Sequence, residues 1–131
     1  MDILLSNEQS KKRLQKMNSL LIKKLNEAFN VEIYQDQVSE DEEENYHYFI
    51  FETGGFEKTE NKLTLRQHVL IRYYSENRDD LDERMLDIIA TLEATGHSFQ
   101  RSDKTSIQKG ETDEYVDEIE IYVTRSVKYG C

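Results

Sequence analysis

The chain has 131 residues, 37% of them apolar and 34% charged, with a net charge of −10. That balance closes only a thin core under much charged surface, and it argues against binding through nucleic-acid phosphates or an anionic membrane, both of which need Lys and Arg. With no Pro cluster and no Gly/Ser linker it reads as a single domain over 1–131, and no run approaches the roughly 20 apolar residues of a spanning helix.

Residues 7–29 predict a helix. Ser6 with Gln9 has the spacing of a Ser-x-x-Gln capping box. Leu14, Met17, Leu21, Leu25 and Ala28 recur at three and four, and Ile22 and Phe29 widen that apolar stripe. Lys11, Lys12, Arg13, Lys16, Lys23 and Lys24 lie mostly off it. Leu20 also falls outside, as a solvent-exposed leucine or a subunit contact. Asn30 suits the left-handed residue that ends a helix. After this basic helix the chain is acidic, a division that points to head-to-tail complementarity between subunits.

"VEIYQ" alternates and predicts a first strand. Residues 36–45, with Glu40, Asp41, Glu42, Glu43 and Glu44, are too charged to bury and predict an acidic flexible loop. "YHYFIFE" predicts a strand covered on both faces. Residues 53–62 read as a flexible connection, with Gly54 and Gly55 as turn residues. "LTLRQHVLIRYY" predicts a long strand with Leu65, Val69, Ile71 and Tyr73 on one face and Gln67 among them.

A second helix follows, with Asp79 as N-cap, Asp82 and Glu83 at the positive end of its dipole, and Gly96 as terminator. Leu81, Met85, Ile88, Ile89 and Leu92 make its stripe; Leu86 stands off it. Two final strands, "HSFQRSDKTSIQ" and "EYVDEIEIYVTR", meet in a hairpin at Lys109 and Gly110. In the last, Tyr115, Ile119, Ile121 and Val123 share a face that Asp117 interrupts, and Glu118, Glu120 and Thr124 point away. The order α-β-β-β-α-β-β predicts an α+β domain, a mostly antiparallel sheet with both helices packed on it.

No catalytic or metal-binding spacing emerges. His47, His68 and His97 lack His-x-His or His-Glu-x-x-His partners. The acidic run lacks a calcium-loop register. There is no glycine-rich phosphate loop and no nucleophile elbow. Cys131 is the only cysteine, so no internal disulfide forms. The start "MDILLSNEQSKKR" puts its basic cluster after its apolar residues, the reverse of a secretory signal. The expectation is a reduced cytoplasmic protein with no cofactor and no enzymatic activity.

"LRQHVLIRYYSENRDDLDERMLDIIATLEATGHSF" followed by "SIQKGETDEYVDEIEIYVTR", behind a basic helix and a long early loop, resembles the tail-terminator and tail-to-head joining proteins of long-tailed phages and prophages. The resemblance implies a homo-oligomeric, hexameric ring that caps the tail tube. It also implies docking to a head-completion or connector protein, and passage of DNA through the lumen without specific binding. The place of action would be the bacterial cytoplasm during assembly, then the head–tail junction of the virion. It carries no catalytic residues. Under this reading Leu20, Lys23, Lys24 and Leu86 are candidate subunit contacts. Residues 36–45, with Glu40 to Glu44, and residues 53–62 are candidate contacts with tube or connector, and an acidic lumen would keep DNA from adhering. The other reading of the charge is an acidic inhibitor that imitates DNA and blocks a basic, nucleic-acid-binding host protein. It requires a continuous stripe of carboxylates on one surface.

Overall fold

The computed structural model describes residues 3–36, 47–76, 78–108 and 114–129. The described residues form an α+β sandwich of one five-stranded sheet with two long helices on one face. A single turn, α1 (Ile3–Ser6), precedes α2 (Glu8–Phe29); β1 (Glu32–Gln35), β2 (Tyr48–Lys58) and β3 (Thr64–Ser75) follow. Then come α3 (Leu81–Ala94), β4 (His97–Gln108) and β5 (Tyr115–Lys128). The strand order is β1-β2-β3-β5-β4. Three of the four pairings are antiparallel, as expected, but β1 runs parallel to β2. β1 and β2 are therefore not the two arms of a hairpin; residues 37–46, where the acidic loop is expected, lie outside the described residues.

The helix ends differ in detail from expectation. Ser6 is the last residue of α1, and the residue before α2 is Asn7, itself in helical conformation and without a side-chain cap bond. The helical path simply continues back into α1. Asn30 does close α2, at φ 53°, with its N–H donating to the Asn26 carbonyl at 2.7 Å. The N-cap of α3 is Asp80, not Asp79. Its carboxylate makes no cap bond because Arg78 holds both oxygens, at 2.8 and 2.9 Å. Asp82 and Glu83 stand in the first turn of α3, and Gly96 follows the helix at φ 87°.

The segment 53–62 is not a flexible connection. β2 runs through Thr53 to Lys58, and Gly54 and Gly55 form a bulge opposite His68 rather than a turn. A Cβ on Gly54 would stand 3.1 Å from the His68 carbonyl oxygen, so this backbone approach favours glycine. The true turn, after Lys58, is tied by side chains. The Thr59 hydroxyl donates to the Asn61 and Thr64 carbonyls, and the Asn61 side-chain oxygen accepts from the Leu63 N–H at 2.8 Å.

The core lies between helices and sheet. Leu21 and Leu25 of α2, and Ile88 and Leu92 of α3, meet Phe49, Phe51, Ile71, Tyr73, Ile119 and Ile121, all fully buried. Strand alternation puts Tyr48 and Ile50 on the opposite face. They are buried too, but no layer of described residues covers them. Tyr48 packs sideways on Tyr34 and Tyr74, with ring centroids 5.9 and 5.0 Å away.

Candidate functional site

The sheet's second face is the most chemically organised surface among the described residues. Antiparallel register lines up Ile50, Arg72, Glu120 and Asp103 across β2, β3, β5 and β4. The flanking rows are Glu52, Leu70, Tyr122 and Arg101, and Tyr48, Tyr74, Glu118 and Thr105. Arg72 is the hub. It reaches Glu52 at 3.2 Å, Glu118 at 3.5 Å and Glu120 at 3.9 Å. The Tyr122 hydroxyl donates to Glu120 at 2.6 Å, and the Arg101 guanidinium lies 4.0 Å over the Tyr122 ring. Arg101 also binds Asp103 at 2.7 Å.

The environment fixes these protonation states. The hydrogen bond from Tyr122, then the charge of Arg72, outweigh burial and hold the Glu120 carboxyl below its ordinary range. Burial, with the hydrogen bond to Glu118, drives the Tyr74 hydroxyl well above the usual phenol value, so it stays a neutral donor. Across these three rows four carboxylates stand against two arginines, so this part of the face carries excess negative charge that Arg72 only partly offsets. Arg72→Met should lower stability at pH 7 by about 2 kcal/mol, because Glu118, 8% exposed, then loses its cation. Glu120, with its lowered pKa, contributes stability that is present at neutral pH and lost in acid. The deficit of the variant against wild type in urea titrations should therefore shrink as pH falls through the carboxylate range.

On the far side of the molecule α2 presents the opposite charge. Lys12, Lys16, Leu20 and Lys23 follow one helical row, away from Leu21 and Leu25, and line a shallow groove with Gln15 and Ser19. Lys23 and Lys24 each lie 3.9 Å from Glu27, in half-exposed pairs of little energetic weight. Among the described residues Lys12 and Lys16 form no ion pair.

The candidate residues divide accordingly. Leu20 (43% exposed) and Lys23 stand together on the basic row. Lys24 lines a separate groove between α2 and α3, with Ala90 and Ala94. Leu86, 68% exposed, stands alone on α3. Glu40, Asp41, Glu42, Glu43 and Glu44 lie outside the described residues.

The histidines do not converge. His47 bonds the Tyr73 hydroxyl at 3.0 Å, and exposed His68 bonds Glu57. Buried His97 has Nδ1 3.1 Å from the Thr95 hydroxyl. Asp117 accepts from Ser106 at 3.0 Å. No described residues form a group of three His, Cys, Asp or Glu able to hold a metal.

Sequence reasoning missed a buried polar row on the helix side. Arg125 is 2% exposed, and its Nε and Nη2 both donate to the Gln67 side-chain oxygen, at 2.9 and 2.7 Å. Gln67 in turn donates to the Gly54 carbonyl at 3.1 Å. The signal was present: Gln67 occupies an apolar-face position in β3, and Arg125 continues the Ile119, Ile121, Val123 register in β5. His97 pairs with Arg125 across the ladder. Burial, then the Arg125 charge, push the His97 imidazole down to about 4. In the unfolded chain it protonates near pH 6.5. Below that pH the unfolded state binds the extra proton, so stability should fall between about pH 6.5 and 4. In urea titrations across that window, His97→Gln should flatten the slope.

No model of a known protein family matches the chain, and no curated protein matches it. No helix of the described residues is long and apolar enough to cross a membrane.

Proposed function

We propose that this domain is a structural assembly subunit of a long-tailed phage or prophage, a tail terminator or head–tail joining protein. In this reading copies form a ring that caps the tail tube and docks to the head connector. The carrying observation is two-sided charge: a basic, leucine-bearing row on α2 and an acidic, aromatic sheet face on the opposite layer. Such a subunit offers different surfaces on its two sides, as a head-to-tail assembly requires. The resemblance of the β3–α3 and β4–β5 segments to tail-terminator and joining proteins supports the same reading, in which Glu40 to Glu44 are candidate contacts for tube, connector or lumen.

The alternative, an imitation of DNA, fits less well. The carboxylates of the sheet face are interleaved with Arg72 and Arg101 and bonded to them, so they do not form an unbroken anionic stripe. Electron microscopy of purified tail tubes from the phage or prophage encoding this chain tests the proposal. Incubation with the protein should leave a ring on one end of each tube. Bare ends at saturating protein would refute it.

A further inference from the structure

We propose that the basic row of α2 in one copy docks across the sheet face opposite the helices in a second copy. This deepens the assembly reading and rests on it for the ring, but the contact is argued from charge and dimensions. The helix row carries Lys12, Lys16 and Lys23 with Leu20 among them. At about 1.5 Å per residue, Lys12 and Lys23 stand about 16 Å apart. On the sheet, Glu52, Glu120 and Asp103 lie on β2, β5 and β4, three strand spacings from first to last, or about 14 Å. A helix laid across the strands thus brings each lysine over a carboxylate. Leu20 then meets the half-buried Leu70 and Tyr122, which stand between Glu52 and Arg101 in their row.

The geometry also sets the kind of assembly. The helices and this sheet face are opposite sides of one two-layer sandwich, so the contact joins unlike surfaces. A contact of unlike surfaces is heterologous; it repeats until a ring closes or a filament grows. A two-fold dimer, which needs one patch to meet itself, is not its product. Lys12 and Lys16, which form no ion pair with a described residue of their own subunit, meet carboxylates of the next. The excess carboxylates of the sheet face gain cations in the same step.

Charge reversal tests the contact. A helix variant carries Lys12→Glu, Lys16→Glu and Lys23→Glu; a face variant carries Glu52→Lys and Asp103→Lys. Circular dichroism establishes that each folds. In sedimentation velocity at concentrations where wild type associates, each variant alone should run as a monomer, since its two surfaces now share a sign. An equimolar mixture should regain association, because both junctions are again complementary. Should Glu52→Lys disturb the sheet, Glu52→Gln with Asp103→Asn replaces it, and association should weaken about tenfold or more. Wild-type association in either reversed variant, or no recovery in the mixture, overturns the contact. So does a wild type that stays monomeric at every concentration. Tube capping by variants that do not self-associate would overturn the place of this contact in the ring and leave the assembly role standing. A restored mixture that leaves tubes bare would keep the contact and remove the role.

Discussion

Gln67→Leu should destabilise the domain by about 3 kcal/mol, more than its exposed neighbours on β3 would suggest. Arg125 is a buried cation whose described acceptor is an amide oxygen rather than a carboxylate. Burial alone already lowers its guanidinium to about 10. Removing the acceptor strips two charge-assisted bonds and leaves a desolvated charge. It also frees the Gly54 carbonyl at the β2 bulge. Arg125→Met should cost less, because it removes the charge and leaves only a neutral amide oxygen in need of a donor. The double variant Gln67→Leu, Arg125→Met should recover most of the loss, since apolar side chains of similar length can fill the row. Urea unfolding midpoints at constant slope give all three values. Additive losses in the double variant would show that the two side chains do not act as a unit.

Phe49→Ala should cost about 3–5 kcal/mol. Phe49 is fully buried in β2, with the Tyr73 ring 4.8 Å and the Phe29 ring 5.6 Å from its centroid. It therefore joins β2, β3 and the last turn of α2. Arg84 of α3 completes the group, its guanidinium 4.7 Å over Phe29 and 5.5 Å over Tyr73. Truncation opens a cavity that four elements line and none can collapse into without losing contact elsewhere. A domain of this size is stable by about 5–15 kcal/mol, so the variant should sit near its unfolding threshold. Leu86→Ala, at an exposed position of α3, should change stability by no more than about 0.5 kcal/mol. A thermal scan separates the two variants. A small effect of Phe49→Ala would mean that the α2–sheet contact is not where the fold's stability resides.

The fold was legible where one face of an element is apolar and the other is not. Leu21 with Leu25, and Ile88 with Leu92, announce buried helix stripes, and Val69, Ile71 and Tyr73 announce the inner face of β3. Pairing between elements was less legible. Nothing in the alternation of β1 and β2 tells a parallel pairing from an antiparallel one. The glycines of residues 54 and 55 serve turn and bulge equally well, and only the approach of His68 separates the two. Capping failed for a related reason. Asp80 and Asp79 are equivalent caps in sequence, and Arg78 takes up the Asp80 carboxylate after the chain folds.

The candidate surface was half legible. Leu20 and Lys23 stand out because they leave the helix stripe. Its sheet counterpart did not, since Glu52, Arg72, Glu120 and Asp103 are far apart in sequence and meet only through register. Glu118 and Glu120 read as ordinary solvent-facing charges, yet Glu118 is nearly buried against Arg72. The Gln67–Arg125 row was marked by one polar residue on an apolar face, a sign that a partner had to exist.

Native mass spectrometry of the wild-type chain at rising concentration, with and without purified tail tubes, tests most directly whether its surfaces are built to receive further copies of itself. The account predicts one closed stoichiometry above the dimer, appearing without a stable dimer and favoured by the tubes. A chain that remains a monomer under both conditions, or stops at a two-fold dimer, would contradict it.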